Sequence, residues 1–184
     1  MQYTLKKSLG QHFLKDENIC RKIISALMKH SFEHLLEIGP GGGALTKFLI
    51  DIKNIDFRAI ELDEEKIQYL LQTYPLLHGK LLHQDFLKTP VPFNEEFIII
   101  GNFPYNISSQ ILFKILEWKE KVPVVIGMFQ KEVAQRIVSK PNNKNYGILS
   151  VLIQAFYNAE HLFDVAPSCF VPPPRVMSSV IELI

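Results

Sequence analysis

Residues 35–43 read LLEIGPGGG, an apolar run that leads directly into a loop rich in glycine. The segment that follows, residues 44–50, has the composition of a helix start. A strand, a glycine-rich loop and a helix in this order form the first βα unit of a Rossmann-like sheet, where nucleotides bind. Glycine tolerates positive φ and lets the backbone approach a ligand closely. The stretch therefore predicts an α/β fold with a ligand site at residues 39–43.

Apolar runs and helical spacings alternate along the rest of the chain, as in a mostly parallel sheet covered on both faces. Strands are predicted at residues 35–38, 57–62, 80–83, 97–100 and 122–129. Helices are predicted at residues 17–30, 44–50, 64–74, 108–118, 131–139 and about 146–155, with Asp16 and Ser108 as N-caps. The last two apolar segments, residues 160–165 and 176–183, have no helix between them, so we expect an antiparallel pair to finish the sheet.

Length and composition indicate one folded domain, which we assign to residues 17–184, preceded by an N-terminal segment, residues 1–16. Of the 184 residues, 47% are hydrophobic and 21% charged, which suits a single core and not a disordered chain. No apolar run is long enough to span a membrane, and no apolar core of a signal peptide follows the basic start. We therefore expect a cytoplasmic protein. The apolar ending at Ile184 suggests a fragment of a longer chain.

The numbers and positions of charged residues, cysteines and histidines limit the nucleic-acid, disulfide and metal interactions to be expected. The net charge is +1, from 20 basic and 19 acidic residues, so the basic excess typical of nucleic-acid-binding proteins is absent from the total. Such a partner would require charge concentrated on one face. Cys20 and Cys169 are far apart and predict reduced thiols. The histidines show no metal-ligand spacing, and we predict no metal.

Three acidic residues end successive predicted strands. Glu37, Glu61 and Asp85 converge at one edge of the sheet if the strands are parallel. Glu61 can accept hydrogen bonds from both hydroxyls of a ribose, and Asp85, beside Phe86, from an adenine amino group. The alternative is a set of solvated, turn-forming or capping acids.

The spacing of the glycines separates two nucleotide cofactors. Residues 39–43 follow the pattern G-x-G-x-G and lack the G-x-G-x-x-G spacing that seats a pyrophosphate. Glu37, just before the loop, would repel a phosphate but would suit a cationic amino-acid group. The combination favours S-adenosylmethionine over NAD. An NAD-dependent oxidoreductase, or a flexible turn beside a salt-bridged Glu37, remains the alternative at this point.

Residues 102–105 read NFPY and follow the strand predicted at residues 97–100. Asn102 offers a side-chain carbonyl that can accept from an amino group, and Pro104 fixes the turn. Tyr105 adds a flat ring on which a base can stack. Together they suit an exocyclic amine on a planar heterocycle, such as N6 of adenine. A turn that ends a strand, with Tyr105 in the core, is the simpler alternative.

Six segments, in the same order along the chain, resemble the ribosomal RNA adenine N6-dimethyltransferases. They are LGQHFL at 9–14, EIGPG at 37–41, ELD at 61–63, NFPYNIS at 102–108, QKEVA at 130–134 and FVPPPRV at 170–176. Residues 11–13 and the triple proline are more similar to the KsgA-type enzymes of the small subunit than to the macrolide-resistance enzymes of the large subunit. The resemblance implies a Rossmann-like class I methyltransferase, S-adenosylmethionine as cofactor, and dimethylation of two adjacent adenines in small-subunit RNA, with a role in ribosome biogenesis.

The resemblance also assigns roles to individual residues. Cofactor contacts would come from Gln11, His12, Leu14, Glu37, Gly39, Gly41, Glu61, Leu62, Asp85, Phe86 and Asn102. The target adenine would be held by Asn102, the Pro104 carbonyl, Tyr105 and Phe170. Residues 1–16 would contribute to cofactor and RNA contacts. Family members usually carry a small helical C-terminal domain, which we expect to be missing from this sequence. We also expect a monomer without membrane contacts.

Three other functions stay open from the sequence. The first is a large-subunit RNA adenine methyltransferase of the macrolide-resistance type. The second is a non-catalytic ribosome assembly factor that kept the fold. The third is a DNA adenine methyltransferase, since such enzymes use a turn similar to NFPY.

Overall fold

A computed structural model describes residues 12–184. Within this range the strands are β1 (Phe13–Leu14), β2 (His34–Ile38), β3 (Asp56–Glu61), β4 (Leu81–His83), β5 (Ile98–Asn102), β6 (Val125–Gln130), β7 (Ala159–Val165), β8 (Phe170–Val171) and β9 (Ser178–Leu183). The α-helices are α1 (Glu17–Leu27), α2 (Thr46–Leu49), α3 (Glu64–Thr73), α4 (Ser108–Glu117), α5 (Lys131–Val138) and α6 (Ile148–Gln154). Short 3-10 turns lie at Pro75–Leu77, Phe86–Lys88 and Pro167–Cys169. The elements thus alternate as the sequence predicts.

Seven of the described strands form one sheet in the order β4-β3-β2-β5-β6-β9-β7. The strands from β4 through β6 in this order pair in parallel. The chain first builds the sheet outward from β2 through β3 and β4, and then crosses back to place β5 and β6 on the other side of β2. The order therefore reverses between β2 and β5, and open α/β sheets bind ligands in the crevice that such a reversal creates.

The end of the sheet is antiparallel, as predicted. Strand β9 lies between β6 and β7 and pairs antiparallel with both, so that Ser178 stands opposite Gln130 on one side and Val165 on the other. Because β9 runs against β6, its first residue lies at the carboxyl edge of the parallel strands. This places the start of β9 at the same edge as the crevice.

Both faces of the sheet are buried, because successive strand residues point to opposite sides. On one face Leu36, Ile38 and Ile99 pack in a core with residues of α4, α5 and α6. On the other face, Leu35 and Ile98 pack in a core with residues of α1, α2 and α3. The near-continuous apolar runs of the central strands are therefore explained by helices on both sides.

Three details differ from the sequence prediction. Ser108 is not an N-cap: Ile107 holds that position without a side-chain bond, and the Ser108 hydroxyl donates to the Tyr105 carbonyl at 3.2 Å. Strand β6 begins at Val125 and not at Val122, since Pro123 cannot donate to a ladder. Strand β1 pairs antiparallel with β8 in a separate two-stranded sheet. Two-residue strands are too short to leave a periodic signal. By contrast, Asp16 caps α1 as predicted.

The described part of the chain contains no helix that is both long and apolar enough to cross a membrane. Cys20 is buried, Cys169 is partly exposed, and both are free thiols. The expectation of reduced cysteines stays a prediction.

Candidate active site

A cavity of about 270 Å³ opens at the carboxyl edge of the sheet, where the strand order reverses. Its walls come from the loop after β2, the ends of β3 and β5, the turn after β4 and the segment that precedes α1. The structure brings together most of the residues predicted for the site, which are His12, Leu14, Glu37, Gly39, Gly41, Glu61, Leu62, Asp85, Phe86, Asn102, Pro104 and Tyr105. Gln11 lies outside the described residues, and Phe170 does not line the cavity.

The glycine-rich loop turns in backbone conformations that favour glycine. Gly39 has φ +67° and Gly41 has φ +55°. A Cβ on Gly41 would lie 2.8 Å from the ring of Phe13, so a side chain there would displace that ring. The loop therefore presents bare backbone to the cavity, with Phe13 packed against it. Such a cradle suits a ligand that binds close to the main chain.

Glu61 is buried at the end of β3 and braces this loop. One carboxylate oxygen accepts from the Gly41 N–H at 3.0 Å, and the other accepts from the N–H groups of Leu62 and Asp63 at 2.9 and 3.0 Å. A carboxylate has about four lone-pair sites, and with three in use about one is left for a ribose hydroxyl. Glu61 lies in the cavity wall, its contact with a ribose stays a prediction, and its hydrogen bond to Gly41 ties β3 to the glycine-rich loop.

Asp85 and Phe86 form the wall that follows β4. One oxygen of Asp85 caps the 3-10 turn by accepting from the Leu87 N–H at 3.0 Å, and the other lies 3.6 Å from the Lys88 ammonium. The ring of Phe86 is buried and meets Trp118 edge-on, with centroids 5.3 Å apart. Asp85 therefore caps a turn, as the alternative interpretation had it, and it also lines the cavity.

Glu37 differs from the sequence interpretation. Its side chain is buried at the end of β2, and one oxygen accepts from the Thr46 hydroxyl at 2.7 Å. Burial raises the pKa of Glu37 to about 8, and the negative charge of Glu61 adds to the rise, while the Thr46 bond opposes it. At neutral pH the carboxyl is therefore mostly protonated in this structure. Glu37 therefore carries the negative charge that the sequence predicted beside the glycine-rich loop only after its carboxyl loses the proton.

The NFPY turn follows β5, the strand next to β2, and also lines the cavity. The side-chain amide of Asn102 donates through Nδ2 to the backbone carbonyl of His12 at 3.0 Å. This bond uses the donor end of the amide, so Oδ1 is the end that can accept from a ligand. The Pro104 carbonyl accepts from the Ile107 N–H at 3.2 Å and retains a second lone pair. Both acceptors predicted for an exocyclic amine are thus placed at the cavity.

Tyr105 is held at both its ring and its hydroxyl. Its phenol shares a hydrogen bond with the Ser178 hydroxyl. Its ring stacks against His12, with centroids 5.5 Å apart and planes inclined by 29°. The His12 Nδ1 donates to the Pro172 carbonyl at 2.9 Å, because a carbonyl oxygen only accepts. Burial raises the pKa of Tyr105, so the phenol stays protonated at neutral pH.

The expectation that Phe170 provides a second stacking ring does not agree with the structure. Phe170 is 1% exposed and belongs to the core that contains Leu27 and Val180. Strand β8 pairs Phe170 with Leu14, which fixes the segment against β1. The ring is therefore a packing element beside the site, and His12 is the ring that contacts Tyr105.

Sequence reasoning missed two site residues, Phe13 and Ser178, and one further contact of the predicted residue His12. Phe13 packs against Gly41, the His12 carbonyl orients Asn102, and Ser178 bonds to Tyr105. Only the resemblance of residues 9–14 pointed to the first two, and no local signal marks Ser178. In the described range no cluster of His, Cys, Asp or Glu could hold a metal ion.

Comparison with known proteins shows the family. Residues 2–184 match the family model described as ribosomal RNA adenine dimethylase. The chain belongs to the ribosomal RNA adenine dimethylase family. The "Ribosomal RNA small subunit methyltransferase A" of Flavobacterium johnsoniae is 53% identical over 181 residues, which cover 97% of this chain and 69% of that protein.

Two solved structures support the same assignment. A dimethyladenosine transferase from Plasmodium falciparum superposes with a TM-score of 0.82 at 31% identity, covering 94% of this chain and 63% of that one. The 23S rRNA methyltransferase ErmE superposes with a TM-score of 0.76 at 26% identity, covering 93% of this chain and 68% of that one. This adenine dimethylase chain thus spans about two thirds of the length of these relatives. The predicted Rossmann-like methyltransferase fold is confirmed, and the family identifies S-adenosylmethionine as the cofactor.

The cavity of this dimethylase fits that cofactor. The bare backbone at Gly39 and Gly41 leaves room for a ligand beside the loop. Glu61 and Asp85 supply acceptors on the wall where a nucleoside would lie. Glu37, once deprotonated, would match a cationic amino-acid group.

Proposed function

We propose that this chain transfers methyl groups from S-adenosylmethionine to N6 of two adjacent adenines in small-subunit ribosomal RNA, and thereby contributes to ribosome biogenesis. The observation that carries the proposal is the placement of Asn102, Pro104 and Tyr105 beside the nucleotide-type loop, in the lining of the same cavity. Two acceptors and a flat ring at this point match an amino group on a planar base. Two of the relatives named above are ribosomal RNA methyltransferases by name.

The residues of the chain would act by alignment. Adenine N6 is a weak nucleophile because its lone pair is delocalised into the ring. Hydrogen bonds from the amine to Asn102 Oδ1 and the Pro104 carbonyl would favour a more tetrahedral nitrogen and fix its direction. S-adenosylmethionine supplies a methyl group already activated by the positive sulfur. Proximity and fixed dipoles then account for the catalysis, and no residue is assigned as a general base.

The target base must leave its stack to reach the cavity, or lie in an accessible loop of the RNA. Tyr105 would replace part of the lost stacking energy, at about 1–3 kcal/mol for a base on an aromatic ring. The chain would act as a monomer in the cytoplasm on small ribosomal subunits. Residues 1–16 would contact both cofactor and RNA, and residues 17–184 would form the methyltransferase domain.

Sequence similarity favours the small-subunit reaction over its large-subunit alternative. Identity is 53% to the small-subunit relative and 26% to ErmE. Membership of the ribosomal RNA adenine dimethylase family argues against an NAD-dependent oxidoreductase and against a DNA methyltransferase. A ribosome assembly role without catalysis remains the second candidate, because binding to the subunit does not require the acceptors of the NFPY turn.

Transfer of labelled methyl groups to small subunits that lack the modification tests the proposal. We expect dimethyladenine at two adjacent positions with the wild-type chain and a loss of about 100-fold or more with Asn102→Ala. Asn18→Ala, which changes an exposed asparagine on α1, is the matched control and should retain wild-type activity. Labelling of large subunits alone would favour the macrolide-resistance type of reaction. Subunit binding without any labelling would favour the assembly role.

A further inference from the structure

Ser178 is a fully buried hydroxyl that bonds to a residue of the proposed site from a distant part of the chain. It is the first residue of β9 and shares a hydrogen bond with the phenol of Tyr105, which follows β5. The two residues are separated by 73 positions in sequence. The methylation chemistry described above uses the Tyr105 ring but gives Ser178 no role.

The sheet makes Ser178 a rigid anchor. Strand β6 lies between β5 and β9, so Tyr105 must reach across one strand to meet Ser178. Neighbouring strands are about 4.8 Å apart, and two strand spacings are spanned by the turn after β5 together with the length of a tyrosine side chain. Ser178 itself is held on both sides by ladder partners, Gln130 and Val165. The bond therefore ties a surface turn to a fixed point of the sheet.

The face of the same ring is defined by a second contact. His12 stacks on Tyr105, and the Pro172 carbonyl accepts from His12 Nδ1. Pro172 and Ser178 belong to one segment, residues 172–178, which includes the proline-rich stretch that the reaction chemistry leaves unexplained. This segment thus sets both the edge of the Tyr105 ring, through Ser178, and its face, through His12.

We propose that Ser178 is a positioning residue for methyl transfer, which fixes the tip of the Tyr105 side chain and thereby the place of the ring on which the target adenine stacks. The inference rests on the proposed function, because it assumes that Tyr105 receives the base. Of the two side-chain torsions of a tyrosine, a bond at the phenol oxygen restrains the first, while stacking on His12 restrains the second. Without the bond to Ser178 the ring shifts sideways, the stacked base follows, and N6 leaves the line of attack. Misplacement by about 1 Å is sufficient to slow such reactions by about 100-fold.

The expected signature is a change in turnover and not in affinity. Ser178→Ala should lower kcat about tenfold, the equivalent of one hydrogen bond of about 1.4 kcal/mol. The KM for S-adenosylmethionine should stay unchanged, since Ser178 does not line the cavity. Affinity for RNA, which is dominated by phosphate contacts, should change little. Tyr105→Phe removes the other half of the bond and should reproduce the loss in kcat.

The test is a double-mutant cycle in the methyl-transfer assay with a matched control. Ser178→Ala combined with Tyr105→Phe should be no slower than either single variant, because both changes remove the same bond. Ser179→Ala is the control: its hydroxyl is equally buried on the next residue of β9 but donates to Asp164 at 2.6 Å. It should leave kcat unchanged. Additive losses in the cycle, or equal losses for Ser178→Ala and Ser179→Ala, would overturn the proposal.

The kcat of Tyr105→Phe and the mobility of the Tyr105 ring test the positioning role if the double-mutant cycle cannot be completed. If Ser178→Ala fails to fold, Tyr105→Phe alone decides, and a wild-type kcat in that variant contradicts the inference. If the wild-type chain methylates no ribosomal RNA, the proposed function fails by itself. Carbon-13 relaxation of the Tyr105 ring then still shows whether Ser178→Ala increases its mobility while Ser179→Ala does not. An unchanged ring in Ser178→Ala overturns the positioning role.

Discussion

The side chain of Asn102 donates a 3.0 Å hydrogen bond to the main-chain carbonyl of His12. The bond joins the end of β5 to the segment before α1, two regions 90 residues apart in sequence. It also determines the orientation of the amide, so that Oδ1 is available as an acceptor. The N-terminal motif therefore prepares the NFPY turn for its ligand in addition to forming part of the cavity wall.

Replacement of the donor end of this amide should disrupt the site without removing the acceptor. In Asn102→Asp a carboxylate oxygen would face the His12 carbonyl, and two acceptors repel each other. We expect the methyl-transfer kcat to fall about tenfold or more and the melting temperature to drop. Steady-state kinetics and thermal unfolding check both. Asn18→Asp, at an exposed position of α1, is the control. Wild-type kcat in Asn102→Asp would show that the amide orientation is not required.

A methyl group added to the glycine-rich loop should show whether cofactor affinity depends on the contact with Phe13 or on the backbone conformation of the loop. Gly41→Ala places a Cβ 2.8 Å from the Phe13 ring at φ +55°, so we expect cofactor affinity to fall at least tenfold in titration calorimetry. Gly79→Ala is the matched control, because Gly79 has φ +79° and nothing within 4 Å of a Cβ. Both variants carry the backbone strain, at about 1–2 kcal/mol, but only Gly41→Ala disturbs Phe13. Equal cofactor affinity in the two variants would show that the Phe13 contact is unimportant.

Because the carboxyl of Glu37 is buried, we expect the difference in stability between wild type and a Glu37→Gln variant to depend on pH. Its pKa is raised to about 8 in the folded protein from an ordinary value of 4.5. Between these two pH values the folded state binds the proton more strongly than the unfolded state does, so this contribution to stability is complete below about 4.5 and is lost as the pH rises through 8. Glu37→Gln keeps an acceptor for Thr46 and does not ionise. The free energy of unfolding of Glu37→Gln should therefore gain on wild type as the pH rises from 5 to 9, by the order of a few kcal/mol.

Urea unfolding of both proteins across that range measures the effect, and groups other than Glu37 largely cancel in the difference. A constant difference would mean that Glu37 titrates near its ordinary pKa. Asn18→Ala, which removes no ionisable group from the exposed start of α1, is a control that should show no such trend.

Substitutions of Phe170 can distinguish a ring that packs in the core from a ring that stacks on the target base. The structure buries its ring, so Phe170→Leu should lower the melting temperature while kcat, measured well below that temperature, stays within about threefold of wild type. Phe170→Ala should be more costly, at about 3–5 kcal/mol in the free energy of unfolding. A stable Phe170→Leu protein with a kcat reduced by 100-fold would restore the ring to the site, as the sequence resemblance implied.

Much of the fold is predictable from local patterns. The apolar runs of the central strands, the glycine-rich loop at residues 39–43 and the spacing of the helices lead to an α/β sheet with the right order of elements. Carboxyl ends of parallel strands share one edge, so the sequence alone groups Glu37, Glu61 and Asp85. Errors occurred where a boundary depends on a single residue, as at Pro123, or where strands are only two residues long, as in β1 and β8.

The amino-acid sequence alone therefore determined the fold class, the edge of the sheet that carries the site and most of the side chains that line it, because strand and helix periods are local properties. Only the tertiary structure decided how those side chains are held. The protonation of Glu37 depends on complete burial, the burial of Phe170 depends on its register with Leu14, and the bond between Tyr105 and Ser178 depends on the position of β9 beside β6. These are contacts between residues far apart in the chain, and no local pattern records them.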